Sequence, residues 1–315
     1  MLSIQQSLIW ASQQLKKSNI KSHGLDAEVL LSFILKTTKE KLYAHPEQKL
    51  NGSQLTTYNK LIKRRAKHEP VAYLTGHKEF FGLDFWGNKK VLIPRPETEL
   101  MIDQVLYLFQ KSVSKRDGRS KLTPIIVDVG TGSGCIVITL AKIIKNWKLE
   151  IGNWKFFGSD ISPAALKLAR LNARRHGVEK QIKFLRGNLL EPVAGFPIPK
   201  ALGIGNPATL IITANLPYLP TAEWQKTMPD VKNYEPRLAL DGGPDGLKYY
   251  RQLFTQLKKL YTINYSLLTT HYLLIEICPH QANAITKLAR HFFPKARVQI
   301  KKDLGGHKRV AIIKA

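Results

Sequence analysis

A glycine-rich loop near the middle of the chain has the composition of a cofactor-binding loop. The apolar run Ile125–Val129 predicts a β-strand, and five loop residues follow it before a helical pattern begins near Cys135. The loop consists of Gly130, Thr131, Gly132, Ser133 and Gly134. Because glycine lacks a side chain, the backbone of such a loop can turn sharply and a ligand can approach it closely. Alone this is weak evidence, since dinucleotide-binding proteins use a related loop.

The glycine spacing narrows the type of cofactor. The loop reads G-x-G-x-G, whereas nicotinamide enzymes use G-x-G-x-x-G. The shorter spacing favours S-adenosylmethionine. No lysine follows the loop as it does in a phosphate-binding P-loop, so nucleoside triphosphate hydrolysis is not expected.

Two polar residues at the ends of the next strands are candidate cofactor ligands. Asp160 ends the second strand, where a carboxylate can accept hydrogen bonds from two ribose hydroxyls. Its alternative role is to cap the helix that begins at Ser162-Pro163. Asn188 follows the third strand and is positioned to contact the adenine amino group. The alternative for Asn188 is an ordinary turn residue at a strand end.

The tetrapeptide Asn215-Leu216-Pro217-Tyr218 follows the fourth strand. It resembles the Asn/Asp-Pro-Pro-Tyr motif of amino-methyltransferases that act on planar nitrogens. The lone pair of such a nitrogen is delocalised, so the nitrogen is a poor nucleophile. The Asn215 side-chain carbonyl and a backbone carbonyl, expected from Leu216, can accept both N–H hydrogens and orient the lone pair toward the methyl group. Tyr218 can stack on the planar group, and Asn215 is also expected to border the cofactor.

The same acceptors predict selection of an amide over a carboxylate. A carboxylate oxygen that faces two carbonyl oxygens gains no hydrogen bond. Each buried acceptor left unpaired costs about 1–3 kcal/mol. The predicted catalytic residues are therefore Asn215 and Tyr218, and Leu216 and Pro217 complete the substrate site.

Alternating strands and helices would position these loops. The β-rich runs are Ile125–Val129, Phe156–Ile161, Ile182–Leu185, Leu210–Ala214, Tyr272–Cys278, Val298–Lys301 and Val310–Ile313. This alternation predicts an α/β domain whose mostly parallel sheet has helices on both faces. The last two runs leave no room for a helix between them, and Gly305-Gly306 indicates a hairpin loop. One terminal strand is therefore expected to be antiparallel.

The N-terminal part of the chain has a different pattern. Apolar residues at helical spacing predict a helical domain over residues 1–75, with Ser53 as the N-cap of its third helix. Aromatic residues among glycines predict a β-hairpin linker over residues 76–95. Residues 96–315 would form the catalytic domain.

The composition indicates where the protein is located and which partners it could have. No stretch approaches the ~18–20 apolar residues of a membrane span. The two cysteines and the lack of a secretory signal favour the cytoplasm. The nine histidines show no metal-ligand spacing, so no metal site is predicted. A formal net charge of +26 suggests association with RNA or ribosomes, or else an overuse of lysine on solvated faces.

Longer motifs resemble the HemK/PrmC family of peptide chain release factor glutamine methyltransferases over nearly the whole chain. The matching segments are Leu25–Glu28, Glu69–Gly76, Glu79–Phe85, Val91–Glu99, Tyr234–Gly243, Asp245–Leu247, Leu274–Ile277 and Asp303–Val310. The resemblance implies a Rossmann-like class I methyltransferase sheet of seven strands whose last pair is antiparallel, preceded by a small substrate-recognition domain.

The resemblance also implies a reaction and a partner. The reaction is transfer of a methyl group from S-adenosylmethionine, with S-adenosylhomocysteine as product, to the glutamine of the Gly-Gly-Gln loop of a class-I release factor. Arg95 and Glu97 would lie near the pocket, with Glu97 close to the methionine part of the cofactor. The alternative for Glu97 is a structural role before the next helix.

Leu216 stands where the family has proline, and this substitution leaves one other catalytic function open. Asn-Leu-Pro-Tyr also resembles the motif of rRNA adenine dimethyltransferases, so an RNA or DNA adenine amino-methyltransferase is the alternative. A catalytically silent relative that binds RNA or the ribosome is the second alternative. Pro217 still favours an extended Leu216, so the acceptor geometry can survive.

Overall fold

The computed structural model describes residues 2–113, 125–146, 155–194, 208–264 and 268–314. In chain order, the helices within these ranges are α1 (Ile4–Lys17), α2 (His23–Leu35), α3 (Lys39–Ala44), α4 (Gly52–Arg65), α5 (Val71–Thr75), α6 (Glu99–Val113), α7 (Cys135–Asn146), α8 (Pro163–Arg175), α9 (Glu191–Ala194), α10 (Thr221–Trp224), α11 (Pro229–Lys232), α12 (Lys248–Asn264) and α13 (Ala282–Phe292). The strands within them are β1 (His77–Phe80), β2 (Leu83–Trp86), β3 (Ile125–Val129), β4 (Lys155–Asp160), β5 (Ile182–Arg186), β6 (Ala208–Ala214), β7 (Leu268–Glu276), β8 (Arg297–Lys302) and β9 (Lys308–Lys314).

The chain divides into two compact units, and neither is a single stretch of sequence. Unit 1 comprises Met1–His77, Gly87–Lys89 and Thr227–Glu235. Unit 2 comprises Lys78–Trp86, Lys90–Lys226 and Pro236–Ala315.

Unit 1 is built on helices that share one apolar core. Helices α1, α2 and α4 bury apolar residues in one cluster, which includes Ile4, Ala11, Leu15, Leu30, Leu31, Tyr58 and Ile62. The N-caps of α1 and α4 are Ser3 and Asn51, and each forms a capping box with a glutamine three residues later. The expectation that Ser53 caps α4 is wrong, because Ser53 lies inside the first turn and Asn51 accepts the N–H of Gln54 at 2.9 Å.

A buried ion-pair network ties the 227–235 segment into unit 1. The guanidinium of Arg65, whose side chain is 6% exposed, lies 2.7 Å from the carboxylate of Asp26 and 2.7 Å from that of Asp230. The second oxygen of Asp230 lies 2.9 Å from Nδ1 of His68. Tyr234 donates its hydroxyl to the carbonyl of Lys67 at 2.7 Å.

The sheet of unit 2 has the predicted architecture. Among the described residues, seven strands pair in the order β5-β4-β3-β6-β7-β9-β8. The pairs β3–β4, β3–β6, β4–β5 and β6–β7 are parallel. Strand β9 is antiparallel to both β7 and β8, which confirms the expected antiparallel terminal pair.

Alternating strand residues supply two apolar cores. On β3, Ile125, Val127 and Val129 belong to the core that contains Tyr250, Leu253 and Phe254 of α12. Ile126 belongs to the other core, with Met101, Ile102 and Val105 of α6. Because successive strand residues point to opposite faces, helices cover both sides of the sheet.

Candidate functional site

The register of the sheet brings the candidate site residues together at the carboxyl ends of the parallel strands. Val129 pairs with both Ser159 and Ala214, and Ala214 pairs with Ile275. The residues that come next on these parallel strands are Gly130, Asp160, Asn215 and Glu276. The carboxyl ends of parallel strands form the usual binding crevice of such sheets.

The glycine loop turns back on the end of β4. Gly130, Gly132 and Gly134 have φ of +71°, +56° and +83°, a region that residues with a Cβ rarely adopt. The N–H groups of Gly130 and Thr131 donate to the carbonyl of Ser159 at 2.8 and 2.9 Å. A Cβ at Gly130 would lie 2.9 Å from Cδ2 of Leu216, so the loop closely approaches the Asn215–Tyr218 motif.

Asp128 lies beneath this loop and links it to β6. Its carboxylate accepts hydrogen bonds from the hydroxyls of Thr131 at 2.6 Å and Thr213 at 2.9 Å. Burial raises the pKa of Asp128 to about 7, although both hydroxyl hydrogen bonds lower it. The loop and the strand that leads to Asn215 are thus joined through one buried carboxyl group.

Asp160 holds the loop from the other side. Its Oδ2 accepts the N–H of Gly132 at 2.9 Å, and its Oδ1 accepts the N–H of Ser162 at 2.8 Å. Burial raises the pKa of Asp160, and the backbone N–H groups oppose this rise. The alternative that Asp160 caps the following helix is wrong, because the Ser162 side chain caps α8 through the N–H of Ala165.

These residues fit a nucleoside cofactor. The three left-handed glycines leave the loop backbone uncovered by side chains at their own positions. The Asp160 carboxylate beside the loop suits hydroxyl donors such as those of a ribose. Asn188 is half-buried and donates its amide to Oε1 of Glu191 at 3.2 Å.

Asn215 is fixed by two hydrogen-bond acceptors. Its side-chain amide Nδ2 donates to Oε2 of Glu276 and to the hydroxyl oxygen of Thr98, both at 3.0 Å. Thr98 in turn donates its hydroxyl to Oε2 of Glu276 at 2.6 Å. Glu276, on β7, is 1% exposed, and Thr98 is 2% exposed.

Tyr218 belongs to the same network. Its hydroxyl donates to Oε1 of Glu276 at 3.0 Å. Burial, together with the Glu276 carboxylate, raises the pKa of Tyr218 well above its ordinary value, so the phenol stays neutral and remains a donor. Burial also raises the pKa of Glu276, and the hydrogen bonds from Thr98 and Tyr218 oppose that rise.

Two glycines after the motif allow its backbone to be approached closely. A Cβ at Gly242 would lie 2.6 Å from the carbonyl oxygen of Pro217, and one at Gly246 would lie 2.2 Å from that of Tyr218. Gln281, which is 2% exposed, donates to the Tyr218 carbonyl at 2.8 Å. The segment Asp241–Gly246 can therefore pack closely only because it lacks side chains at these two positions.

The sequence analysis missed Glu276, Thr98 and Gln281 as site residues. Two signals pointed to Glu276: it lies in the family-like segment Leu274–Ile277, and it is a lone acid inside an apolar run, where charged residues are rarely buried without partners. Glu97 is half-exposed, and its carboxylate lies 4.0 Å from the Arg309 guanidinium. Arg95 precedes the 3-10 turn Pro96–Thr98 and is also half-buried.

One further cluster lies after β7. The ligand atoms of Glu223, Cys278 and His280 lie within 4.8 Å of one another. The sequence spacing did not suggest this grouping. Glu223 and His280 are exposed, and burial raises the pKa of the Cys278 thiol to about 11, which disfavours the thiolate that metals bind.

Within the described ranges, helices long and apolar enough to span a bilayer are absent.

Two sequence families match separate parts of the chain. The family described as PrmC N-terminal domain matches residues 6–76, and the family described as Methyltransferase domain matches residues 123–197. A crystal structure of the hMettl16 catalytic domain in complex with MAT2A 3'UTR hairpin 6 has a TM-score of 0.50 at 15% identity and covers 79% of this chain and 80% of that chain. This likeness confirms the class I methyltransferase fold.

Curated relatives align over almost the full chain. The release factor glutamine methyltransferase of Moorella thermoacetica is 35% identical over 98% of this chain and 97% of its own length. Those of Dictyoglomus turgidum and Bacillus anthracis are 33% and 31% identical, over 98% of this chain and 96% and 98% of their own lengths. The chain therefore belongs to the release factor glutamine methyltransferase family.

Proposed function

We propose that this chain transfers a methyl group from S-adenosylmethionine to the side-chain amide nitrogen of the glutamine in the Gly-Gly-Gln loop of a class-I release factor. The observation that carries the proposal is the fixed amide of Asn215, next to the glycine loop, in a member of this family. The proposed partner is the release factor itself, and the proposed compartment is the cytoplasm.

The cofactor residues would be those of the glycine loop together with Asp160, Asn188 and Asn215. S-adenosylmethionine supplies an electrophilic methyl group when it is bound. The loop backbone would receive the cofactor, and the Asp160 carboxylate would accept hydrogen bonds from its ribose. To reach an adenine, the Asn188 amide would exchange its hydrogen bond to Glu191, 3.2 Å away, for one to the base.

Asn215 and Tyr218 would act on the substrate. The Nδ2 of Asn215 is committed to Glu276 and Thr98, so its Oδ1 is available to accept an N–H of the glutamine. The backbone carbonyl of Leu216 would accept the second N–H. These acceptors position the nitrogen, and positioning can account for several kcal/mol of the barrier. Tyr218, with its hydroxyl held by Glu276, would stack on the amide plane.

The division of the chain belongs to the same proposal. Residues 1–75 would recognise the release factor, residues 76–95 would form the linker, and residues 96–315 would carry catalysis. The PrmC N-terminal domain match over residues 6–76 supports the first boundary. Strands β1 and β2, which pair in a two-stranded sheet and are joined by two residues, support a hairpin in the linker.

Labelled S-adenosylmethionine with two substrates in parallel tests the proposal. Purified protein would be incubated with a class-I release factor, with the same factor in which the loop glutamine is replaced, and with bare rRNA. We expect label on the release factor and none on its replaced form. Label on rRNA alone would contradict the proposal and would favour the adenine alternative that Leu216 raises. Label on neither would favour the silent relative.

Asn215→Ala tests the assigned mechanism. We expect kcat to fall at least ~100-fold, because the nitrogen loses its main positioning contact. The dissociation constant of the cofactor should rise by a much smaller factor, because the glycine loop and Asp160 still bind it. Methylation assays and titration with S-adenosylhomocysteine measure the two effects. A variant with full turnover would refute the role of Asn215.

A further inference from the structure

The amide of Asn215 can be oriented in two ways, and only one of them offers an acceptor to the N–H groups of a substrate amide. If Oδ1 points outward, the site offers an acceptor to an N–H donor. If the amide is flipped by 180°, the site offers Nδ2, which suits a carbonyl or carboxylate oxygen. Whatever sets this orientation therefore determines which side chain the site accepts.

The contacts of Asn215 decide the orientation. Both groups next to its Nδ2 are acceptors, namely Oε2 of Glu276 and the hydroxyl oxygen of Thr98, each at 3.0 Å. The Thr98 proton is already donated to Glu276 at 2.6 Å, so that hydroxyl has no proton for a flipped Asn215. A flip would place Oδ1 against a carboxylate oxygen and a hydroxyl lone pair, and both hydrogen bonds would be lost.

Glu276 is the residue on which this arrangement depends. Its two carboxylate oxygens receive three donors, which are Thr98 and Asn215 on Oε2 and Tyr218 on Oε1. A carboxylate only accepts hydrogen bonds, so all three donors are compatible with it. An uncharged amide at the same position has one acceptor oxygen and one donor group, and it cannot serve all three.

We propose that Glu276 is a positioning residue that holds the Asn215 amide with its oxygen toward the substrate and thereby selects glutamine over glutamate. Glu276 does not contact the reacting nitrogen and acts through Asn215. The inference rests on the proposed function, because it assigns the specificity of that same site.

The test compares the affinities of the wild type and of Glu276→Gln for two forms of the release factor, one with glutamine and one with glutamate in the loop. Binding of a class-I release factor and of the same factor with Glu in place of the loop glutamine would be measured by fluorescence anisotropy with S-adenosylhomocysteine present. We expect the wild type to prefer the glutamine form. We expect Glu276→Gln to reduce that preference at least about tenfold, the size of one charge-assisted hydrogen bond. Its kcat should fall, and its affinity for the cofactor should stay unchanged.

Two further variants separate this role from simple packing. Tyr250→Phe removes a hydroxyl that donates to the backbone carbonyl of Glu276 and leaves its carboxylate untouched, so the preference should stay at the wild-type value. Thr98→Val removes one of the two acceptors of Asn215 Nδ2, so the preference should fall by a smaller factor. Thr98→Val also serves if Glu276→Gln fails to fold, as judged by circular dichroism.

The outcomes distinguish this inference from the proposed function. A wild type that methylates the release factor, together with Glu276→Gln or Thr98→Val that keeps the wild-type preference, overturns the role of Glu276 alone. A wild type that does not methylate any release factor overturns the proposed function. Loss of preference in Tyr250→Phe to the same extent would show that packing around residue 276, not its carboxylate, sets the specificity.

Discussion

At the scale of single residues, Gly134 of the glycine loop and Gly24 of α2 differ in what an added side chain would meet. Gly134 has φ of +83°, and a Cβ there would lie 2.6 Å from Cδ1 of Ile138 and 3.2 Å from Cβ of Ala169. Gly24, in the first turn of α2, has open space around the same position. One substitution can therefore have opposite effects at the two sites.

Gly134→Ala should lower stability by about 1–3 kcal/mol, because it combines an unfavourable φ with overpacking. The matched change Gly24→Ala should raise stability by about 0.4–1 kcal/mol, because it restricts the unfolded chain without strain. Thermal unfolding of both variants measures the difference. Equal shifts of the same sign would contradict the backbone geometry of the loop.

Some residues of the candidate site could be predicted from the sequence and others could not. The glycine loop, Asp160 and Asn215 could be singled out as candidates because each stands in a local pattern of strand, loop and helix. Glu276 and Thr98 could not, because the contact between them spans 178 positions of sequence and no local rule pairs them. The strands were found within a few residues because apolar runs of that length are themselves local signals.

At the scale of elements, β7 contains a histidine that destabilises it in acid. His271 is 7% exposed, and its ring lies 4.3 Å from that of Tyr261. Its Nδ1 has no hydrogen-bond partner among the described residues. Burial lowers the pKa of His271 to about 4, from an ordinary value of 6.5.

The pH dependence follows from that shift. Between pH 6.5 and about 4 the unfolded chain binds a proton at His271 and the folded protein does not, so stability falls as the pH is lowered through this window. Above pH 6.5 the group contributes no slope. His271→Phe removes the titrating group and keeps an aromatic ring beside Tyr261.

We expect the free energy of unfolding of His271→Phe, relative to that of the wild type, to rise by about 2 kcal/mol when the pH is lowered from about 8 to about 5. Urea unfolding at the two pH values measures this gain. Wild-type and variant profiles that stay parallel across the window would show that His271 titrates normally in the folded protein.

At the scale of the whole molecule, each unit is assembled from separated parts of the chain. The sequence predicted a helical N-terminal domain from its periodicity, but it gave no sign that Thr227–Glu235 belongs to the same unit. The reason is physical, since polar contacts link this segment to the helices, through Asp230 to Arg65 and His68 and through Tyr234 to Lys67. Such contacts leave no hydrophobic pattern in the sequence.

Asp230→Asn should destabilise unit 1 by about 1–3 kcal/mol, because the buried Arg65 loses one of its two carboxylates. Hydrogen exchange of the α4 amides in the full chain measures the effect on this unit. Glu179→Gln, which breaks the exposed pair with Arg174, is the control and should leave α4 unchanged. Equal exchange in both variants would show that Asp230 contributes nothing to unit 1.

The discontinuity of unit 1 has a consequence for synthesis on the ribosome. Domains generally fold as units while the chain emerges, beginning at the N-terminus. Helices α1 to α5 emerge first, but Asp230 is translated only after the glycine loop and the Asn215 motif. During that interval, of the two carboxylates that pair with Arg65, only that of Asp26 has been synthesised. The first helices to be made therefore belong to a unit that is completed only after most of the chain has been translated.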